Sequence, residues 1–410
     1  MKASAPLPTL VVAAALALGA AISLGLARFS YALLLPPMRA DLGWSYFTAG
    51  AMNTVNAAGY LAGALAAPAA LRRFGARGVF LGGAVLTALA LFAHGLVLAD
   101  GSLYVLRFVT GVGSAGTFVA GGLLAARLVV APAAGDGPRG SKGGSGLVLG
   151  IYYGGTGLGI IASALIVPIL AERPAPHAWQ GAWFGLAALA AIATTVAALA
   201  TRAGSDATAA TPRAARSRVD VFALAPALVA YLLFGLGYIG YMTFVVTLLR
   251  EERFAGALVI VFFAMLGAAV IASSWLWAGL LQRARGGGAL ALLNALVALA
   301  TLLPVVSTHP AAAFASGLLF GAVFLSLVAS TTALVRHNLA PADWPAGIAA
   351  FTIVFAAGQI VGPSAVGLIA DHFGGLRAGF ACSAAVLALA ALVAWRQRPL
   401  APAAEAWRAR

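Results

Sequence analysis

The charged residues of this chain lie unusually far apart. Uncharged runs cover 3–27, 42–71, 78–99, 108–126, 143–171, 174–201, 221–249, 254–282, 286–335, 344–370 and 378–395. A helix needs about 20 mostly apolar residues to cross a bilayer, and runs of this length suit that task. The run 286–335 is long enough for two crossings. Thr308-His309-Pro310 supplies a turn at its centre, with Pro310 suited to a helix start. Ten single runs and one double run predict twelve spans. The fold class expected is an all-α polytopic membrane protein built as two pseudo-symmetric six-helix bundles.

Composition agrees. Hydrophobic residues make up 62% of the 410, charged residues 9%, and mean hydropathy is +0.99. A soluble domain carries about 25% charged residues and cannot hide this much apolar side chain. Disorder, a secreted disulfide scaffold and a cytosolic enzyme are excluded. Cys382 is the single cysteine, and five scattered histidines show no metal-ligand spacing. No G-x4-G-K-[ST] loop is present, so ATP does not drive this chain. No metal, no cofactor and no enzymatic activity are expected.

Lys2 followed by Leu10 to Ala21 resembles a signal peptide. Apolar character continues to Pro36-Pro37, so this segment reads as an uncleaved first span. The formal charge is +14. Alternating the loops across a membrane puts 18 basic residues on one face and 5 on the other, with Arg28 and Arg107 inside spans. Cytoplasmic loops collect Lys and Arg, so both termini are expected in the cytoplasm. Spreading the charge over loops disfavours a nucleic-acid partner.

The stretch 202–219 holds four arginines with Gly, Ser, Thr and Pro212, and reads as a cytoplasmic linker. It separates a bundle at 1–201 from a second at 220–396, with a tail at 397–410. Gly25-Leu-Ala-Arg-Phe-Ser-Tyr31 in span 1 matches Gly235-Leu-Gly-Tyr-Ile-Gly-Tyr241 in span 7. Gly155-x3-Gly159 in span 5 matches Gly358-x3-Gly362 in span 11. These matches point to a duplicated six-helix unit, a recurring plan of secondary transporters.

Several motifs resemble the major facilitator superfamily. They are the basic turn Leu71-Arg72-Arg73-Phe74-Gly75-Ala76-Arg77, the span 4 pattern Leu103-x3-Arg107-x2-Thr110-Gly111, and the turn Gly367-Leu-Ile-Ala-Asp371-His-Phe-Gly374. Arg72 stands where the family's basic turn usually carries an acid. Arg28-Phe-Ser-Tyr31, Leu34-Leu-Pro36 and Met38, with Asn56-x2-Gly59-Tyr60, are similar to the bacterial YbfB-type subgroup. The resemblance implies secondary transport by alternating access. It also suggests gating or structural roles for Arg72, Arg73, Gly75 and Asp371, and Gly358, Gly362 and Pro363 are expected to permit close helix approach and bending in span 11. Gly155-Thr-Gly-Leu-Gly159 lacks the proline of the family's antiporter motif, which argues against drug efflux.

An arginine within a span costs about 2.5–3.5 kcal/mol on insertion scales, so it marks a cavity or a partner. Arg28 and Arg107 are two such residues, and no acid lies inside any span. Guanidinium matches carboxylate geometry, so the expected substrate is a small organic anion. Asn53, Asn56 and Tyr60 share a face of span 2 at helical spacing, and Tyr31 shares the face of Arg28. Tyr238 and Tyr241 repeat that spacing in span 7, while Tyr152 and Tyr153 lie in span 5 and Gln359 in span 11. Substrate contact is expected at Arg28, Tyr31, Asn53, Asn56, Tyr60, Arg107, Tyr152, Tyr238, Tyr241 and Gln359. The alternative for each is helix–helix bonding, worth about 0.6 kcal/mol on average. His94 and His309 fall near span ends and read as interfacial residues rather than proton relays. A proton or counter-ion is the expected coupling partner, with symport in a monomer at the bacterial inner membrane. Export of lipophilic or cationic compounds and a non-transporting membrane sensor are the other classes.

Overall fold

The computed structural model describes residues 8–130, 141–202 and 222–400. Most of the predicted linker 202–219 and of the tail 397–410 lies outside the described residues. Among the described residues, eleven helices are long and apolar enough to cross a membrane. One of them, Tyr46–His94, has 49 residues. At 1.5 Å per residue it would measure about 74 Å, more than twice the hydrocarbon core. The backbone breaks helical geometry inside it at Gly75, with φ 69° and ψ 166°. A side chain is strained at such a φ, so glycine suits this turn. The helix is therefore spans 2 and 3 joined at Gly75, and the count becomes the expected twelve.

The remaining spans are span 1 (Thr9–Leu42), span 4 (Asp100–Leu128), span 5 (Leu147–Ala171), span 6 (Trp179–Ala200) and span 7 (Ala225–Glu251). Span 8 (Gly256–Arg283), span 9 (Gly288–Val306), span 10 (Pro310–Asn338), span 11 (Pro341–His372) and span 12 (Gly375–Trp395) complete the set. Pro310 opens span 10, and His309 caps it by accepting from the Ala311 N–H at 3.2 Å. Span 1 does not stop at Pro36-Pro37. It runs on to Leu42 and ends at Gly43, where φ is 66°. Each proline withholds one N–H, which leaves the rest of the helical ladder able to continue.

Contacts divide the molecule into two compact units. The first holds the described residues of Met1–Trp44, Val55–Thr211 and Phe254–Ile271. The second holds those of Ser45–Thr54, Pro212–Arg253 and Ala272–Arg410.

In the first unit, span 5 crosses span 1 at backbone contact. A Cβ on Gly155 would lie 1.9 Å from the Ala17 oxygen, and one on Gly159 would lie 2.4 Å from that of Ala21. Spans 2 and 4 cross as closely, with a Cβ on Gly59 at 2.1 Å from the Phe108 oxygen and one on Gly111 at 2.2 Å from that of Asn56. Small residues permit such approach where lipid supplies no hydrophobic drive between helices. Arg77 donates to the Ala198 carbonyl at 3.1 Å and to Thr201 Oγ1 at 3.3 Å, tying the turn after Gly75 to the end of span 6. A cation there also complements the helix dipole.

In the second unit, span 11 crosses span 7 in the same manner. A Cβ on Gly358 would sit 2.3 Å from the Leu232 oxygen, and one on Gly362 2.5 Å from that of Leu236. Gly159 faces Ala21 and Gly25, while Gly358 faces Leu232 and Gly235. These contacts keep Gly25 opposite Gly235 in the repeat. They set Gly159 opposite Gly358, one helical turn from the pairing read in the sequence. Asp371 takes the Tyr46 N–H at 2.9 Å and the Phe47 N–H at 2.8 Å, so its carboxylate caps the helix that begins at Tyr46.

Candidate functional site

Span 1 changes its winding where the sequence places Arg28. Residues Ala21–Phe29 form a π-helix, and all nine are buried. The Ser30 N–H donates to the Gly25 carbonyl at 3.0 Å, five residues back, and Ser30 Oγ donates to Leu26 O at 2.5 Å. Widening a helix in this way re-aims the side chains along it and frequently marks functional sites. Arg28 is 3% exposed. Its guanidinium carbon lies 5.7 Å from the centre of the Tyr60 ring.

Arg107 reaches the same depth from span 4 and is 1% exposed. Its Nη1 donates to the Ala27 carbonyl at 2.9 Å, within the π-helical segment. The guanidinium lies 4.7 Å above the Tyr31 ring. An aromatic face attracts a cation, more strongly where water is excluded. Asn56 Nδ2 donates to the Arg107 carbonyl at 3.0 Å, across the Gly59–Gly111 crossing. Arg28, Tyr31, Asn56, Tyr60 and Arg107 thus form one cluster: two guanidiniums, two phenol rings and an amide.

Other expected site residues lie elsewhere. Tyr152 packs in an apolar cluster with Val79, Phe80 and Ala120, and its hydroxyl donates to Phe118 O at 2.6 Å. Asn53 belongs to the second unit, where its Nδ2 donates to Thr243 Oγ1 at 2.7 Å. Helical spacing put Asn53 and Asn56 on one face, yet the two amides serve different neighbours. Tyr241 bonds Ser316 Oγ at 2.7 Å. The Ser316 hydroxyl is already donated to Ala300 O at 2.6 Å, so Tyr241 is the donor. Its ring stacks on Phe320 at 4.1 Å.

Tyr238 and Gln359 meet in the second unit, with the Gln359 amide donating to the Tyr238 hydroxyl. Tyr238 joins a run of near-parallel rings, 4.7 Å from Phe234 and 5.6 Å from Phe355, with Tyr231 4.7 Å from Phe355. Pro363 lacks the N–H that would bond the carbonyl of residue 359 in a regular helix. In the basic turn, Arg73 lies over the Phe74 ring at 5.3 Å, and Arg77 rather than Arg72 bonds span 6. An apolar groove of about 300 Å³ between spans 5 and 6 and a cavity of about 60 Å³ beside Tyr231 and Phe351 are lined by neither arginine.

His94 is not interfacial. It is fully buried, 4.4 Å from the Trp183 ring and nearly parallel to it. Position at the end of an uncharged run suggested the surface. The aromatic pair Trp183-Phe184 on span 6, which covers the end of span 3, is what the run could not show. The other histidine read as interfacial, His309, is at an exposed span end.

Twelve spans with glycine-crossed helices define an integral membrane protein, and the family match makes it a transporter of the major facilitator class. A family profile described as "Uncharacterised MFS-type transporter YbfB" matches residues 20–395, and the chain belongs to that family. No curated protein matches it. Among solved structures, a point mutant of the nucleoside transporter NupG superposes with a TM-score of 0.70 at 14% identity, covering 94% of this chain and 100% of that one. A bacterial homologue of the human lysosomal transporter Spinster, inward-facing and unoccupied, gives 0.69 at 13% identity, covering 94% and 96%. The human organic anion transporter MFSD10 gives 0.61 at 15% identity, covering 95% and 100%. At these identities the likeness is one of fold.

Proposed function

We propose that this transporter carries a small organic anion, a carboxylate, held by Arg28 and Arg107. The observation that carries the reading is the pair of guanidiniums, 3% and 1% exposed, gathered beside Tyr31 and Tyr60 at one depth of a membrane bundle. Desolvating two cations side by side is costly, and an anion between them offsets that cost. A planar carboxylate can take two parallel bonds from a guanidinium. Asn56 and the Tyr31 and Tyr60 hydroxyls lie on the same cluster and suit the orientation of a polar solute. MFSD10, which shares the fold, is a human organic anion transporter.

The mechanism in this reading is alternating access by two six-helix bundles, 1–201 and 220–396, in a monomer of the bacterial cytoplasmic membrane with both termini inside. Coupling is to a proton or counter-ion, in symport. Gly358, Gly362 and Pro363 allow span 11 to bend and slide. Release of the Tyr46 and Phe47 amides from Asp371 is the gating event.

The test is uptake of labelled lactate, succinate and citrate into proteoliposomes bearing wild type, Arg28→Ala or Arg28→Lys. Uptake of at least one acid is expected, abolished by alanine and weakened by lysine, which keeps the charge but loses the fork. Equal uptake in all three proteins would overturn the reading.

A further inference from the structure

Two amide side chains tie together the segments at one end of the second unit, where spans 8, 10 and 12 finish. Asn338 Nδ2 donates to the Arg285 carbonyl at 2.7 Å, and Asn338 Oδ1 accepts from the Leu400 N–H at 2.7 Å. One side chain thereby joins the turn after span 8 to the segment after span 12. Gln397 is buried, and its Nε2 donates to the Ala223 carbonyl at 3.1 Å and to the Arg398 carbonyl at 2.9 Å. The Gly287 N–H donates to the Gln397 carbonyl at 2.9 Å. Backbone groups that a loop would leave to water are used here to hold three segments in place.

The segments so joined are basic. Arg283 and Arg285 lie on the first, Arg336 stands two residues before Asn338, and Arg396 and Arg398 lie on the last. All five are exposed. Among the described residues none of them forms an ion pair, and the acid at this end of the unit is Asp343. The Arg336 guanidinium lies 5.1 Å from the centre of the Trp344 ring. An excess of Lys and Arg on one face of a membrane protein accounts for the sign of these charges. It does not account for the amides that gather them, since scattered loop arginines would orient the chain equally well.

Next to the arginines the surface turns apolar. On span 12, Leu389, Leu392 and Trp395 are 50%, 69% and 75% exposed, along one stripe that ends beside Arg396. On span 8, Trp275 and Leu276 are exposed about two turns before Arg283. Tryptophan favours the boundary between hydrocarbon and headgroups. The order is guanidinium, then indole, then aliphatic side chain, and it matches a phospholipid whose headgroup is negative. A phosphate takes two parallel N–H bonds from one guanidinium.

We infer that this end of the second unit binds an anionic phospholipid, its phosphate among Arg285, Arg336 and Arg398 and an acyl chain along Leu389, Leu392 and Trp395. Basic pockets at the ends of spanning helices take such headgroups. The inference is independent of what the transporter carries.

Trp395 provides the readout, because bromine on an acyl chain quenches an indole that it touches. The full-length protein is reconstituted in phosphatidylcholine vesicles with a small fraction of brominated phosphatidylglycerol or, in parallel, of brominated phosphatidylcholine. The quenching that disappears in Trp395→Phe belongs to this surface. Wild type is expected to prefer phosphatidylglycerol there by about tenfold, which three arginines near a lipid phosphate suffice to supply. Arg285→Gln, Arg336→Gln and Arg398→Gln together should bring the preference to about one. Lysine at the same three positions should keep most of it, because a phosphate also accepts a point charge. Asn338→Ala, which leaves every charge in place, should fall between. Arg72→Gln, Arg73→Gln and Arg202→Gln together remove the same charge from the first unit and should leave the preference unchanged. Raising NaCl from about 0.05 M to about 0.5 M should weaken it in wild type, with no substitution involved. Equal quenching of wild type by the two lipids overturns the inference, as does a preference that survives the three glutamines. An equal loss in the first-unit variant also overturns it, since net charge and not this surface would then attract the lipid.

Discussion

Spans 1 and 7 share a glycine and a tyrosine at matching positions but hold different chemistry between them. Gly25 and Tyr31 bracket Arg28, while Gly235 and Tyr241 bracket Tyr238. Span 1 winds as a π-helix across this stretch, and span 7 stays α-helical. In the first unit the central residue is a cation over the Tyr60 face. In the second it is a phenol in a stack of rings, with its hydroxyl taken by Gln359. Both units keep the glycine crossing that positions these residues, Gly159 on span 1 and Gly358 on span 7. A duplicated scaffold has thus kept its packing and diverged at its centre. The cationic half has the character of a binding site. In the aromatic half the Tyr238 and Tyr241 hydroxyls are both engaged by neighbouring side chains, Gln359 and Ser316, which is the character of a support.

The largest expected effect falls on what the halves share. Gly159→Val and Gly358→Val each push a side chain into backbone oxygen, at 2.4 Å and 2.3 Å for the Cβ alone. Backbone cannot yield as a side chain does, so each should cost about 3 kcal/mol, the upper end of the usual range for overpacking. Loss of monodisperse protein, or a sharp fall in melting temperature, checks this. Gly82→Val, where nothing lies within 4 Å, is the control that should melt near wild type. Unequal losses at Gly159 and Gly358 would break the symmetry argued for the scaffold.

A smaller and asymmetric effect is expected at the centres. Arg28→Ala should weaken carboxylate binding by about 2 kcal/mol or more, the loss typical of truncating a buried charge pair. Tyr238→Phe removes only the bond from Gln359 and should leave that binding within about twofold of wild type, since such bonds average about 0.6 kcal/mol in membranes. Calorimetric titration of both variants with the best-bound acid checks the pair. Smaller still is Tyr241→Phe. It loses the bond to Ser316, and an effect of about 0.6 kcal/mol on stability with no change in binding is expected. A larger effect on binding would move Tyr241 from support to site.

Much of this architecture can be read from the chain, because bilayer thickness turns hydrophobicity into length. Twelve spans follow from uncharged runs, and the turn at Gly75 from a basic glycine loop between them. The meeting of Arg28 and Arg107 is legible too, since two costly cations at similar depth share a reason to be there. The π-helix is not. No residue pattern in Ala21–Phe29 announces bonds five residues back, and the stretch is buried against neighbouring helices that a local pattern cannot report. Asn53 and Asn56 show the limit of helical spacing: sharing a face does not decide which neighbouring helix supplies the partner. His94 shows the limit of charge gaps, since its burial depends on Trp183, about ninety positions away in the chain.

The central claim is that the buried arginines recognise negative charge, and a matched pair of ligands tests it most directly. Thermal stabilisation of the purified protein is measured with lactate, succinate and citrate and with their neutral amides, in wild type and in Arg28→Gln. Ligands that bind the folded state raise its apparent stability. Stabilisation by at least one acid and not by its amide, lost in Arg28→Gln, is the predicted result. Equal stabilisation by acid and amide, or an acid effect that survives in Arg28→Gln, would contradict it.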